Sequence, residues 1–256
     1  MHVSITSAPD GSIVYPETDG QPMSENTRQF RWIVTLAGNL TALFRVDEDV
    51  FVCGNQFWYP VEGEPDIRVS PDVYAVFGRP KGDRPSYKQW EEGGIPMTVV
   101  FEILSPSNTG LEMIDKLAFY EDYGAEEYYL YDPDTNNLRG YLRRGELLLR
   151  VRQMNGFVSP RLGIRFDLSG PELVVRYPDG RPFLTFEELE VERVQAVQRA
   201  ERAEQHAAQA EQRAARTAAL ALKVVRQEAT PEEVLELQRQ LQAVPPSSDT
   251  TGADQK

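Results

Sequence analysis

Residues of types that could do chemistry crowd into one stretch, Met97 to Tyr120, which reads MTVVFEILSPSNTGLEMIDKLAFY. Its first eight residues are apolar or β-branched except for Glu102. A short continuous apolar run of this kind predicts a strand buried on both faces. A carboxylate inside such a strand is costly unless a proton, a cation or strong hydrogen bonds compensate it. Ser105–Pro106 ends the run, and a helical pattern follows from about Leu111. On that helix Glu112, Lys116 and Tyr120 are spaced i, i+4, i+8 and share one face. Taken alone, Glu112 and Lys116 form an i, i+4 surface pair contributing about 0.2–0.5 kcal/mol. The sharper alternative is that Lys116 reaches back over the strand toward Glu102. About thirty residues earlier, Asp72 follows Pro71 and directly precedes the β-favouring run VYAVFG, which places it at a strand mouth. By itself an Asp there is a turn residue.

Two acids at strand positions and a nearby lysine are what metal-dependent phosphodiester hydrolysis requires. Hard carboxylate oxygens hold Mg²⁺, with Mn²⁺ as a substitute, and leave positions in its shell for water and phosphate oxygens. The metal polarises the phosphate and helps make hydroxide from water. A lysine ammonium can orient that water or stabilise the charge of the transition state. Histidine cannot share this work, because the chain has only His2 and His206, one near the N-terminus and one in the C-terminal helix. No Ser-His-Asp triad and no His-based metal centre can be assembled from those two.

The bulk composition narrows the partners. Net charge is −13, and of the 27 basic and 40 acidic residues, 18 and 29 precede residue 190. The acidity belongs to the globular part, against a non-specific nucleic-acid coat. It leaves room for a cleft whose acids hold metal ions. The single cysteine, Cys53 in VFVCG, reads as a buried apolar residue and implies a reducing compartment. The opening MHVSITSAPDG has neither a basic start nor an apolar core, and no apolar run approaches the ~20 residues of a membrane span. The expectation is a cytoplasmic protein without a membrane segment.

The elements that must position these residues follow in order. Residues 1–23 read as a loosely ordered arm. Ser24 is a candidate N-cap for a helix over about 25–44, with Glu25 in its first turn and Phe30, Ile33, Ala37, Leu40 and Phe44 as its core stripe. VFVCG (50–54) and FWYP (57–60) suggest a hairpin around Asn55–Gln56. Residues 79–95 form a polar loop in which Arg79, Lys81, Arg84 and Lys88 alternate with Tyr87 and Trp90. That is either an ordinary exposed loop or one that touches phosphates and bases. After the central strand and helix, EEYYLYDP (126–133) reads as a strand and LRGYLRRGELLLRV as a hairpin turning at Arg144–Gly145. Shorter segments lie around Leu162–Phe166 and Leu173–Tyr177, with a turn at Pro178–Asp179–Gly180. The central domain is thus 24–189. From 190 to 228, Ala196, Ala200, Ala203, Ala207, Ala210, Ala214, Thr217, Ala221 and Val224 keep a strict 3,4 spacing, the seam of a coiled coil that would join copies into a homo-oligomer. Thr230–Pro231 with Glu233 opens a short helix over 229–244, and 245–256 reads as a disordered tail.

Four blocks together carry a family resemblance: Pro71–Asp72–Val73, Val99 to Pro106, Glu112-x-x-x-Lys116-x-x-x-Tyr120, and Tyr123 to Tyr128. Over roughly residues 20–190 the chain resembles the Uma-type (Uma-two) restriction-endonuclease family, a branch of the PD-(D/E)XK nuclease superfamily. The resemblance implies an α/β fold, a mixed central sheet flanked by helices. It implies Asp72 and Glu102 as metal-binding acids and nucleic acid, DNA above all, as the partner. The superfamily's lysine should stand two residues after the glutamate, where this chain has Leu104. Lys116 on the following helix is the substitute that the resemblance suggests, which makes Asp72, Glu102 and Lys116 the candidate catalytic set. A competing reading keeps the fold, loses catalysis and makes the coiled coil the working surface of a regulatory module. A third, a glycoside hydrolase using paired carboxylates, is disfavoured by the lysine and by the lack of an aromatic sugar platform.

Overall fold

A computed structural model describes residues 13–16 and 26–242 of the chain. In chain order the elements are α1 (Thr27–Leu43), β1 (Val50–Cys53), β2 (Trp58–Tyr59), β3 (Val73–Phe77), β4 (Tyr87–Lys88), β5 (Val99–Ile103), α2 (Gly110–Asp122) and β6 (Glu127–Asp132). They continue with β7 (Asn137–Arg144), β8 (Leu147–Arg150), β9 (Arg165–Asp167), β10 (Val174–Arg176), α3 (Phe186–Val225) and α4 (Pro231–Gln242). Six strands make one mixed sheet in the order β1-β3-β5-β6-β7-β8. Only β5 and β6 within it are parallel, and α2 is the crossover that a parallel pair needs. This is the mixed α/β architecture expected of a restriction-endonuclease-like fold.

Alternation along the strands sorts the core into two faces. Val73 and Ala75 of β3, Val99, Phe101 and Ile103 of β5, and Tyr129 and Tyr131 of β6 pack with Ile33, Leu36 and Leu40 of α1. Tyr74 and Val76, Val100, and Tyr128 and Leu130 pack with Met113 and Tyr120 of α2. The sheet is therefore the middle of three layers, and β5 is buried along its whole length. Burying each large apolar side chain contributes ~1.5–3 kcal/mol, so a strand of this kind tolerates one expensive carboxylate. By the same alternation Glu102 lies on the α2 face.

α1 begins at Asn26, whose side chain accepts from Gln29 N at 2.8 Å. The expected cap Ser24 and the first-turn Glu25 lie outside the described residues. Ile33 and Leu40 are buried as the stripe required, with Ala37 and Phe44 packed against them. Phe30 is instead 58% exposed. Its place on the buried face is taken by Gln29, whose amide donates to Ile103 O at 3.0 Å and satisfies a carbonyl at the end of β5. α2 starts on a capping box, Thr109 and Glu112 exchanging hydrogen bonds, and ends before Gly124, whose φ of +96° favours glycine.

Three further expectations are corrected. The hairpin around Asn55–Gln56 does not form: β1 pairs with β3, and β2 pairs in parallel with β4 in a separate two-stranded sheet. The Asn55 N–H bonds Pro71 O, which keeps the chain alongside the entry to β3 instead of turning it back. The basic-aromatic loop is not a free cationic surface. Arg79 and Arg84 both pair with Glu92 at 2.7 and 2.6 Å, Lys88 pairs with Glu91, and Tyr87 is fully buried. The β7–β8 hairpin turns at Gly145–Glu146, since Arg144 still pairs with Leu147. Cys53 is half-buried against the α2-side core.

Within the N-terminal arm the described residues are held down. Tyr59 donates its hydroxyl to Pro16 O, and the Tyr15 ring packs against Tyr59 and Trp90. The chain divides into two compact units, Met1–Glu188 and Leu189–Lys256. In the second, α4 folds back on α3, with Arg216 pairing Glu236 and Lys223 pairing Glu233. Residues Ala210, Ala214, Thr217 and Ala221 of the predicted seam line a groove shared with Leu237, Gln240 and Leu241 of α4. The later half of the seam thus faces a helix of its own chain, whereas Ala196 to Ala207 stay exposed. No helix among the described residues is long and apolar enough to cross a membrane.

Candidate active site

β3 and β5 are antiparallel with Val73 opposite Phe101, which sets the residue before β3 beside the end of β5. Asp72 uses that placement: its Oδ2 accepts from Ile103 N at 2.6 Å. The approach is tight on the other side as well. A Cβ at Gly54 would stand 2.2 Å from Asp72 O, so only a glycine lets the chain pass there.

Glu102 is 3% exposed, and two side chains of α2 answer its carboxylate. Lys116 Nζ donates to Oε2 at 2.9 Å, and the Tyr120 hydroxyl donates to Oε1. The helix face read from the sequence is therefore turned onto the acid, one helical turn apart for each donor. Lys116 forms its ion pair with Glu102, whereas Glu112 is taken up by the capping box and by Asn108. Trp58 stacks on the Tyr120 ring at 6.3 Å, and the Tyr128 ring packs tilted against the same Tyr120 ring at 4.9 Å.

Electrostatics tie the group together. Burial drives the Glu102 carboxyl above its ordinary range, and the charge and hydrogen bonds of Lys116 and Tyr120 only partly oppose it. Burial alone would depress the Lys116 ammonium. Glu102, and then Asp72 and Glu112, more than reverse this and hold it above the usual lysine value. The Tyr120 hydroxyl is raised well above its ordinary value, by burial first and then by Glu102, so it stays a donor. Tyr128 is pushed up by burial and by the charges of Glu102 and Asp72. The structure thus brings Asp72, Glu102 and Lys116 into one electrostatic neighbourhood at the end of β5.

The donor set bears on a metal. Among the described residues no group of three or more His, Cys, Asp and Glu is placed to hold an ion. Two carboxylates with hard oxygens nonetheless fit a cation such as Mg²⁺, which usually keeps several waters and takes only one or two carboxylates. Each Glu102 oxygen carries one of these hydrogen bonds, and a carboxylate oxygen has a second lone pair.

Two depressions flank the N-terminus of α2, and Thr109 lines both. One, of about 460 Å³, opens at Lys116 and includes Arg68, Glu112 and Phe119. The other, of about 340 Å³, runs between α2 and the strands β6 and β7, with Leu104, Tyr128 and Arg139 in its wall. Sequence reasoning had not singled out Gln29, Gly54, Tyr128 or Arg139. Strand alternation could have found two of them, since Tyr128 and Arg139 fall on the α2 face once β6 and β7 are placed. Gln29 and Gly54 act through backbone carbonyls and leave no pattern in side-chain type.

A comparison with protein families matches residues 9–176 to the family Uma2, described as "Putative restriction endonuclease". No curated protein matches the sequence. Among solved structures, one described as "a putative nuclease belonging to DUF820 from Anabaena variabilis ATCC 29413" aligns at 12% identity and a TM-score of 0.40. That alignment covers 56% of this chain and 79% of the other. The family match takes in Asp72, Glu102 and Lys116 and spans more than half of the chain, which therefore belongs to the Uma2 restriction-endonuclease family.

Proposed function

We propose that this protein is a Mg²⁺-dependent endonuclease that hydrolyses phosphodiester bonds of DNA. The observation that carries the reading is the pair between Lys116 and the buried Glu102, 2.9 Å apart, in a chain with leucine where the superfamily places its lysine. Asp72 and Glu102 would hold the ion. When bound, it supplies Lewis-acid polarisation of the phosphate and a lowered pKa for water.

The chain's own residues do the rest. The Ile103 N–H fixes the Asp72 carboxylate, and the Tyr120 hydroxyl fixes Glu102, so neither acid must reorganise when charge develops. Water adds to phosphorus, the bond to the leaving oxygen breaks, and the Lys116 ammonium stands beside the acids as a positive group for the phosphate oxygens. Its raised pKa keeps it charged through the neutral range. The exposed half of the α3 seam, Ala196 to Ala207, is the surface through which copies would associate, which light scattering of the full chain tests against a monomer mass.

One observation favours the second reading, a nuclease fold without catalysis. Both Glu102 oxygens already carry internal hydrogen bonds, and among the described residues no third metal-binding side chain joins the two acids. Purified protein incubated with plasmid and single-stranded DNA in Mg²⁺, Mn²⁺ or EDTA separates the two. We expect metal-dependent cleavage that Asp72→Asn and Glu102→Gln abolish. No cleavage in either metal, or cleavage that survives both substitutions, sinks the endonuclease reading.

A further inference from the structure

The cleft of about 460 Å³ at Lys116 has a second cation in its wall, Arg68. Its backbone is fixed from the next residue on, since Val69 exchanges two hydrogen bonds with Trp58, at 2.8 and 3.3 Å. Trp58 stacks on Tyr120, whose hydroxyl donates to Glu102. Four residues after Arg68 the chain reaches Asp72. The segment that carries Arg68 is thus tied to the surroundings of both acids. The guanidinium is oriented as well. One nitrogen donates to Pro65 O at 3.1 Å, and the group lies over the Phe57 ring, 4.9 Å from its centre. Its charge also reaches the Tyr59 hydroxyl, where it opposes the larger effect of burial.

Contacts within the chain do not use up this charge. Among the described residues no carboxylate pairs with Arg68, whereas Arg79, Arg84, Arg161 and Arg176 each hold one. A cation–π contact contributes only about 0.5–1 kcal/mol, and a guanidinium has five N–H donors. Arg68 is half-buried, so part of it stays open to the cleft that it lines. Of the two acids in the same wall, Glu112 accepts from Thr109 N and Asn108, and Asp115 is exposed. One cation held on a buried acid and a second, preset cation in the same cleft suit successive phosphates of one strand. We infer that Arg68 is a phosphate contact for the bound nucleic acid, taking a phosphate beside the one presented at Lys116 and Glu102. The inference rests on the endonuclease reading for its ligand, and the contact itself does not need catalysis.

Fluorescence anisotropy of a labelled DNA duplex with the full chain in Ca²⁺, over a range of salt concentrations, tests it. Arg68→Met keeps an apolar chain on Phe57 and removes the charge. It should lower the slope of log affinity against log salt by about 0.9, the value of one phosphate on duplex DNA. Affinity should fall about tenfold, and equally on two unrelated sequences. Arg68→Gln, which keeps a donor for Pro65 O, reads the same loss should the methionine variant melt below the assay temperature. Arg31→Met is the control for charge alone, since Arg31 is exposed on α1, across the sheet from α2, and its slope should stay that of the parent. No DNA binding by the parent, an unchanged slope on loss of Arg68, or an equal change on loss of Arg31 overturns the contact. If the parent cuts DNA while the Arg68 variants keep its slope, the contact fails and the endonuclease reading stands. If the slope falls as expected but the parent cuts nothing in Mg²⁺ or Mn²⁺, the endonuclease reading fails and the contact remains.

Discussion

Two buried carboxylates sit on neighbouring strands of the same sheet and are treated in opposite ways. Glu127, at the start of β6, is 2% exposed and accepts from the hydroxyls of Tyr129 and Ser159 and from Arg161 N. All three donors are uncharged, and they tie the sheet to the segment before β9. Glu102, at the far end of β5 and on the opposite face, is answered by an ammonium and a phenol from one face of a helix, beside a second acid. Burial raises both carboxyls. Desolvation therefore does not separate them, and a raised pKa alone does not mark a functional acid. The partners do: neutral donors from a connecting segment make a clamp, whereas a cation, a second carboxylate and an adjoining cleft make a site.

Substitutions can break this contrast, and the largest expected effect is on the clamp. Glu127→Ala leaves three donors without an acceptor and should cost about 3 kcal/mol of unfolding free energy in a denaturant titration. The rate per folded molecule should stay that of the parent. A loss of rate without a loss of stability would make Glu127 the functional acid and reverse the assignment. Gly54→Ala acts on the other side of the contrast without touching a carboxylate. A Cβ there meets Asp72 O at 2.2 Å, so the segment must shift, at about 1–3 kcal/mol. Cleavage should fall more than stability explains, and an alanine variant with full rate would show that Asp72 need not be held where it is. The smallest effect belongs to a half-buried acid, Asp167, that serves as the control. Hydrogen bonds from Ser169, and then from Arg176, lower Asp167 to about 2 from its ordinary 3.8. A depressed acid stabilises above its unfolded pKa, and that contribution is lost as pH falls through the folded one. The stability difference between the parent and Asp167→Asn should thus be level above pH 3.8 and shrink toward pH 2. A difference that persists below pH 2 would contradict it.

What could be read from sequence was whatever periodicity carries. The apolar run around Glu102 fixed a strand buried on both faces, and the i, i+4, i+8 spacing put Lys116 and Tyr120 on the face that reaches it. β1 and β3 were recognisable as strands, but their pairing was not. The hairpin expected after β1 failed because the N–H of Asn55 is used on Pro71 O, a backbone contact that no side-chain pattern announces. Phe30 was assigned to the core by type, and Gln29 displaced it because a carbonyl at the end of β5 needed a donor. For the cations of residues 79–95 the sequence left open an ordinary exposed loop or one that touches phosphates, and spacing did not announce that Glu92 holds two of them. Local type and spacing therefore locate a candidate acid. Only the fold shows which charges are already spent.

The central claim is that Lys116 serves the chemistry at Glu102 and is not merely its counterion. The direct test is the single-turnover cleavage rate of Lys116→Met in Mg²⁺, measured well below the variant's melting temperature because Glu102 is left buried with Tyr120 alone. Losing one donor to the transition state typically costs about a hundred- to a thousandfold. The account predicts a fall of that size with DNA binding retained. A folded variant that cuts as fast as the parent would contradict it.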